Sequence, residues 1–379
     1  MRWYREINAA VKRCMPFLLP TQAANLAMLV RAILIKRTLC QTELARTYLR
    51  SLEQRVPNPK HVLLHRVKRL SRFLANDQVD PLAVQIALLP YVLARLRPLY
   101  RVGLCIDWTY FDAPSFRVQI LKIGIAREGR VVPLLQVAYD RDNLPTDKSQ
   151  NQIEEETLAA VLAALPKNCR PVILADRGFA RSEFFQWLNK RKLDFVIRID
   201  KGTCITDASG KRHKLGVDLT LQRGEQLWLG RVRYALHHGR PSDIWVNLGC
   251  SWVTPESGST RKNPKEPEHP WYLATSMPSV QLAVAWYQRR FWVEESFRDD
   301  KSRLLLDEVR VESTQRLNRL LMALTIAVCW LCLIADPKTG MLPSNWNAHV
   351  VTWGKAGLVL QALAYLDKYG ILPKVLEAT

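Results

Sequence analysis

Five short apolar runs between residues 101 and 199 restrict the fold of this chain more than any other feature. They are RVGLCID (101–107), RVQILKIGIA (117–126), RVVPLLQVAYD (130–140), PVILAD (171–176) and DFVIRI (194–199). Each has the length and β-branched content of a strand, and Glu128-Gly129 between the second and third runs indicates a hairpin. Helical patterns at 149–165 and 180–192 separate the last three runs. This order predicts an α/β fold in which three strands form a meander and helical crossovers lead to parallel partners.

Two of these runs end on an aspartate. Asp107 closes RVGLCID, and Asp176 closes PVILAD 69 positions later. Aspartate is common where a strand stops, so each residue alone has an ordinary structural explanation. In open α/β sheets, however, ligand-binding groups gather at the carboxyl ends of strands, so we expect the two carboxylates to lie close together. Such a pair suits Mg²⁺ or Mn²⁺, and a site of this kind usually needs a third acid.

The segments around these runs differ in composition, which divides the chain into five parts. Residues 1–100 have apolar positions at helical spacing, with helices predicted at 21–37, 41–55, 60–75 and 81–97. Residues 101–200 are the first part of the α/β core. Residues 201–275 are rich in Gly, Ser and Pro with short β-like runs, so they are predicted to be a β-rich insertion. Residues 276–340 return to the core, and 341–379 are predicted to be a helical tail.

The charge of the chain indicates a polyanionic partner. The net charge is +20 and the isoelectric point is about 9.8, which favours nucleic acid over the rarer case of an anionic membrane. Residues 1–100 hold 17 Lys and Arg against 5 Asp and Glu. On the helix predicted at 60–75 the basic residues recur on one side; they are Arg66, Lys68, Arg69 and Arg72. This stripe is either a solvated helix face or a surface that contacts DNA phosphates.

Two further patterns concern the compartment. The N-terminus MRWYREINAAVKR lacks the apolar stretch of a secretory signal, so we expect a cytoplasmic protein. The apolar run 320–335 has 16 residues, short of the roughly 20 that span a bilayer, so we expect a core helix and no membrane partner. Cys329 and Cys332 lie in this run without a second pair at zinc-ligand spacing, which favours buried thiols.

Residues 286–303, WYQRRFWVEESFRDDKSR, mix charges of both signs with aromatic rings. On a helix with about 100° per residue, one stripe collects a tyrosine, a single carboxylate and three cations. The stripe contains Tyr287, Arg290, Glu294, Arg298 and Lys301. Glu295, Asp299 and Asp300 project elsewhere, so the projection selects Glu294 as the third acid. The alternative is an ordinary amphipathic helix with an Arg290–Glu294 ion pair.

The spacing Y-x(2)-R-x(3)-E-x(6)-K in this segment is similar to the signature helix of DDE transposases of the insertion-sequence-four family. Three other stretches resemble the same family: CIDWT with Asp107, ILADRGF with Asp176, and WYLATSMP ahead of the helix. The resemblance spans about residues 60–335. It implies an RNase H-like core, a mixed five-stranded sheet flanked by helices, with a β-rich insertion before the helix that bears the glutamate. An all-helical N-terminal domain completes the expected architecture.

The resemblance also implies a reaction. Asp107, Asp176 and Glu294 would hold two Mg²⁺ ions, which Mn²⁺ could replace, for cleavage at the transposon ends and attack of the freed 3′-OH on target DNA. Tyr287, Arg290, Arg298 and Lys301 would contact phosphates, with packing as a second role for Tyr287, and the basic N-terminal helices would read the terminal inverted repeats. A homodimer in the synaptic complex and a bacterial cytoplasm, at the nucleoid when DNA is bound, are further expectations. Another RNase H-like nuclease, such as a junction resolvase, and a retired transposase that only binds DNA are the alternatives.

Overall fold

A computed structural model describes residues 2–47, 59–96, 98–144, 147–237, 240–252, 270–339, 342 and 358–369. The chain forms a mixed α/β structure and divides into two compact units. Unit 1 comprises residues 1–99, 107–168 and 292–379, and unit 2 comprises residues 100–106 and 169–291. Most of the polar loop near 254–270 and much of the predicted tail lie outside the described residues.

Unit 1 begins with five helices. They are α1 (Arg2–Cys14), α2 (Pro20–Lys36), α3 (Gln41–Thr47), α4 (Pro59–Leu74) and α5 (Pro81–Arg95). The predictions at 21–37, 60–75 and 81–97 are confirmed to within two residues at each end. Of the helix predicted at 41–55, residues 48–55 lie outside the described part. Proline starts three of these helices, because proline at the first position sacrifices no helical hydrogen bond. In α5, Pro81 follows the N-cap Asp80, whose side chain accepts two backbone N–H bonds.

A hairpin and a crossover helix follow in unit 1. Strand β1 (Arg101–Asp112) begins in unit 2 and its residues from 107 onward belong to unit 1, where it neighbours β2 (Arg117–Arg127) and then β3 (Arg130–Asp140). The β2–β3 turn has positive φ at Glu128 (45°) and Gly129 (78°), as a tight hairpin turn requires. Helix α6 (Gln150–Ala164) then begins with a reciprocal cap between Ser149 and Gln152.

The C-terminal part of unit 1 supplies its central helix. Helix α10 (Phe291–Leu304) leads to α11 (Thr314–Ala335), and α12 (Leu358–Tyr369) packs on α11. α11 is long and apolar enough to span a membrane by length and composition, but 94% of its most apolar window is buried inside the protein. It packs against β3, α2 and α5. This burial confirms the prediction of a core helix and of buried thiols at Cys329 and Cys332.

Side chains from the surrounding helices close the free edge of β3. An edge strand exposes unpaired N–H and C=O groups, which cost free energy when they are buried. Here a serine of α10, a glutamine of α5 and an asparagine of α11 bond these groups at 2.7–3.0 Å. The pairs are Ser296 with Val131, Gln85 with Gln136, and Asn318 with Ala138. The helix that carries Glu294 is therefore bonded directly to the sheet.

Unit 2 contains a mixed sheet of its own strands and the start of β1. Its first strands are β1, β4 (Arg170–Ala175) and β5 (Asp194–Ile199), all parallel, with α7 (Ser182–Lys190) between the last two. The remaining elements are β6 (Cys204–Thr206), β7 (Arg212–Lys214), α8 (Leu215–Asp218), β8 (Gln226–Tyr234), β9 (Leu236–His237), β10 (Arg240–Pro241), β11 (Trp245–Ser251), β12 (Trp271–Thr275) and α9 (Val280–Tyr287). The strand order is β1-β4-β5-β12-β11-β8-β6-β7, so the predicted insertion extends the core sheet through β12.

Candidate active site

Asp107 lies inside strand β1 and not at its end. The prediction that the strand stops at Asp107 is wrong, because β1 continues to Asp112. Residues 108–111, Trp-Thr-Tyr-Phe, favour extended structure and continue the strand. Asp107 follows Cys105, the last β1 residue in register with β4, by two positions. Its side chain is buried, and Oδ1 accepts a hydrogen bond from the backbone N–H of Trp108 at 2.9 Å.

Asp176 directly follows strand β4, as predicted. It lies two positions after Leu174, which is the register partner of Cys105. Its Oδ1 accepts a hydrogen bond from the Gly178 N–H at 2.8 Å, and a Cβ at residue 178 would lie only 3.0 Å from that oxygen. Its Oδ2 lies 3.5 Å from Nη2 of Arg290, whose side chain is 8% exposed. The carboxylate is therefore held by a backbone amide and a buried guanidinium.

A tight turn interrupts the helix predicted over the signature segment. α9 ends at Tyr287, residues 288–290 form a 3-10 turn, and α10 begins at Phe291. A 3-10 turn is wound more tightly than an α-helix, so the projection at 100° per residue does not hold across residues 288–290. Its ring is 1% exposed and packs edge-on against Trp271 and Phe291, with centroids 5.1 and 5.7 Å away. This is the packing role expected for Tyr287; a contact with DNA stays a prediction.

Glu294 is the exposed acid of α10. Glu295 pairs with Arg298 at 2.7 Å, Asp299 with Arg130 at 2.6 Å, and Asp300 with Lys122 at 2.6 Å. Asp299 and Asp300 are buried, so their carboxylates serve the interior of unit 1. By its exposure, Glu294 is the same acid that the helical projection selects.

The two cations after Glu294 differ in their surroundings. Arg298 is exposed and pairs with Glu295. Lys301 is half-buried, and its Nζ donates a hydrogen bond to the backbone oxygen of Tyr110 at 2.9 Å. Burial lowers the pKa of Lys301, with Asp307 and Asp300 opposing the shift. An ammonium has three donors, so this single bond leaves Lys301 able to contact a phosphate.

The basic stripe on α4 is at the surface. Lys68, Arg69 and Arg72 are exposed, and Arg66 is half-buried. Arg69 donates from Nε to Oδ1 of Asn25 at 2.8 Å. No salt bridge within the described ranges reaches any of the four residues. The geometry is compatible with a solvated face and with a phosphate-contacting face, so a DNA role for the stripe stays a prediction.

The chemistry of the three predicted acids, and not an observed cluster, supports the prediction of a Mg²⁺ site. In the part of the chain that the structure describes, no group of three or more His, Cys, Asp and Glu side chains is arranged to hold a metal ion. Asp107 and Glu294 belong to unit 1, and Asp176 belongs to unit 2. Carboxylate oxygens are the ligands that Mg²⁺ and Mn²⁺ prefer, so the three acids fit such ions chemically.

The insertion carries a polar surface that contains none of the predicted site residues. On this surface Arg231 and Arg233 lie over the ring of Trp245, at 4.8 and 5.0 Å from its centroid. In sequence, the two arginines and the tryptophan are separated by a connection of about ten residues, and only the strand register brings them together. The alternation of Arg231 and Arg233 on one strand was the available signal.

One comparison with known proteins identifies the family. The sequence model of the family described as "Transposase DDE domain" matches residues 101–330. No curated protein matches the chain in sequence. The matched range contains Asp107, Asp176 and Glu294 and covers more than half of the chain. The protein therefore belongs to the family of transposases with a DDE domain.

Proposed function

We propose that this protein is a cut-and-paste transposase of the insertion-sequence-four type, with an RNase H-like core and with Asp107, Asp176 and Glu294 as its catalytic acids. The observation that carries the proposal is the parallel register of β1 and β4. Cys105 pairs with Leu174, and each acid follows its own paired residue by two positions. Residues two apart along a strand share a face. Each acid therefore continues the face of its own paired residue, which is what a pair of metal-binding carboxylates needs.

Each acid has a distinct contribution in this proposal. Asp107, Asp176 and Glu294 would hold two Mg²⁺ ions, which when bound activate the attacking oxygen and stabilise the leaving oxygen of the phosphodiester. Arg290, 3.5 Å from Asp176 and almost fully buried, orients that carboxylate. Glu294 reaches solvent from a helix bonded to the edge of β3, so a rigid support carries an accessible carboxylate.

The products follow from which bonds break. Water would attack the phosphodiester at the transposon end, so that a new P–O bond forms and the P–O3′ bond breaks. This leaves a 3′-OH on the transposon strand and a 5′-phosphate on the flanking strand. That hydroxyl would then attack a target phosphodiester, joining the two DNAs and releasing a target 3′-OH. Arg298 and Lys301 would contact the phosphates near the reacting bond. The basic face of α4 would bind the terminal repeats, and two chains would hold the two ends in a synaptic dimer.

The test is cleavage of DNA that carries the protein's own element ends. Purified protein with Mg²⁺ should nick at the ends. Glu294→Gln should slow cleavage by at least about a thousandfold, because a catalytic group lowers the activation free energy by several kcal/mol. Binding to the ends, measured without divalent ions, should persist. Glu295→Gln is the matched control, because its carboxylate is paired with Arg298 and should be dispensable.

Three outcomes would contradict the acid assignment or favour one of the alternative functions. Cleavage that survives in Glu294→Gln would make the acid assignment wrong. Cuts in branched DNA of any sequence, with no preference for the ends, would indicate a resolvase-type nuclease. Specific end binding by the wild-type protein with no cleavage under any divalent ion would indicate a retired transposase.

A further inference from the structure

Strands β8 and β11 of the insertion hold two guanidinium groups on one indole ring. In their antiparallel register Arg233 is opposite Trp245 and Arg231 is opposite Asn247. Because side chains alternate along a strand, these four residues share one face of the sheet. The guanidinium carbons of Arg231 and Arg233 lie 4.8 and 5.0 Å from the centre of the Trp245 ring. The ring therefore restricts both cations to adjacent positions.

Neither cation forms a salt bridge with another described residue. Arg231 is exposed and Arg233 is half-buried. Two like charges held side by side repel each other, and an anion between them would relieve that repulsion. Guanidinium groups bind phosphate with two parallel hydrogen bonds, and a stacked guanidinium loses little further freedom when it does so.

A groove and a second cationic segment adjoin the ring. The groove has a volume of about 360 Å³ and is lined by Trp245, Asn247, Asn189 and Thr275, among others. Nδ2 of Asn189 bonds the backbone oxygen of Trp245 at 3.2 Å, which ties the end of α7 to the start of β11.

The residues that follow Asn189 repeat the same arrangement. They are Lys190, Arg191 and Lys192, all exposed, and Arg191 lies 3.9 Å above the ring of Trp187. A guanidinium stacked on an indole thus occurs on α7 as well as on β8, beside two further ammonium groups. Asp243 also lines the groove, so an anion is disfavoured next to that carboxylate.

We propose that this face of the insertion, the Arg231–Arg233–Trp245 cluster with the end of α7, is a second DNA-contact surface that binds the sugar-phosphate backbone through residues other than the proposed catalytic ones. DNA is the polyanion that the family implies, and the clustered cations on rings suit a phosphate backbone better than a single anion. The inference rests on DNA as the substrate of the proposed function. Because such contacts position DNA without reading it, the surface would bind flanking DNA of any sequence.

The test measures binding of full-length protein to a duplex of arbitrary sequence over a range of salt concentrations, without divalent ions. Arg231→Gln/Arg233→Gln should lower the slope of log K against log salt by about 1.8, since each phosphate contact contributes about 0.9. The matched control is Arg212→Gln/Lys214→Gln, which removes two exposed charges at the same spacing on β7 with no ring beneath them. That control should leave the slope close to the wild-type value.

Substitutions of Trp245 distinguish the contribution of ring stacking to DNA affinity from the contribution of charge. Trp245→Ala keeps both arginines but removes the surface that orders them, so affinity should fall while the salt slope changes little. Trp245→Phe should restore most of the affinity. Thermal unfolding of every variant checks that the insertion is still folded.

Two results would overturn the inference: an unchanged slope in the folded Arg231→Gln/Arg233→Gln protein, or an equal loss in the Arg212→Gln/Lys214→Gln control. Loss of binding to anionic vesicles with unchanged DNA binding would also overturn it in favour of a lipid surface. This assay measures binding without divalent ions and does not depend on cleavage. Failure of the wild-type protein to cut its ends therefore counts against the proposed function alone, whereas equal slopes in an actively cutting protein count against this surface alone.

Discussion

At the scale of single residues, the surroundings of each charged group separate candidate catalytic chemistry from structural pairing. Of the four acids of α10, Glu294 is exposed, whereas Asp299 and Asp300 are buried in ion pairs with Arg130 and Lys122. Asp176 is fixed by Arg290 and by the Gly178 amide. Lys301 is intermediate, because one of its donors is used by the Tyr110 carbonyl. Its contribution to DNA binding can therefore be tested separately.

Lys301→Ala should weaken end binding and lower the salt slope by about 0.9, the value for one phosphate contact. Burial lowers the pKa of Lys301, so its positive charge is lost at a lower pH than that of an ordinary lysine. The wild-type slope should consequently fall from neutral to alkaline pH before other lysines titrate. Lys301→Arg, whose charge does not titrate in this range, should keep its slope. A wild-type slope that does not change with pH, together with an unchanged slope in Lys301→Ala, would exclude the phosphate contact.

At the scale of elements, α10 is fixed to the β2–β3 hairpin by buried ion pairs. Lys122 on β2 is 2.6 Å from Asp300, and both side chains are 1% exposed. The Lys122 ammonium also lies 4.4 Å from the centre of the Phe297 ring. Burial raises the pKa of Asp300, and Lys122 opposes that shift. A raised carboxylate pKa means that the native state holds the proton more tightly, so this group lowers stability as pH rises above the ordinary aspartate range.

Lys122→Met alone should destabilise the protein by about 3–5 kcal/mol, because it leaves a buried carboxylate uncompensated. Lys122→Met/Asp300→Leu should recover most of that loss, since an apolar pair of similar volume is often neutral or stabilising. Denaturant unfolding gives both values. Lys148→Met removes a lysine from the exposed Lys148–Glu156 pair and should change little. Equal effects at the two sites would show that burial does not determine the strength of the pair. If the double variant folds but cleaves slowly, the pair also orients the helix of Glu294.

At the scale of the whole molecule, local patterns predicted the elements better than they predicted the contacts. Proline and apolar spacing placed α2, α4 and α5 to within two residues, because a helix is determined largely by its own sequence. A polar residue is typical of a strand end, so the sequence pattern predicts the end of β1 at Asp107, whereas Trp108 and its successors continue the strand. The Lys122–Asp300 pair joins residues 178 positions apart, and no local periodicity contains that information.

The net charge of +20 raises the question of whether the basic face of α4 binds DNA specifically or only adds to the overall attraction. Lys68 and Arg72 are exposed and one helical turn apart, so Lys68→Glu/Arg72→Glu reverses both charges without disturbing the core. If the stripe contacts the terminal repeats, end binding should fall by at least about tenfold and the salt slope by about 1.8. Lys12→Glu/Arg13→Glu on α1 changes the net charge equally and is the control. Equal losses in the two variants, measured by titration of labelled end DNA, would mean that net charge alone attracts the DNA and that the stripe is a solvated face.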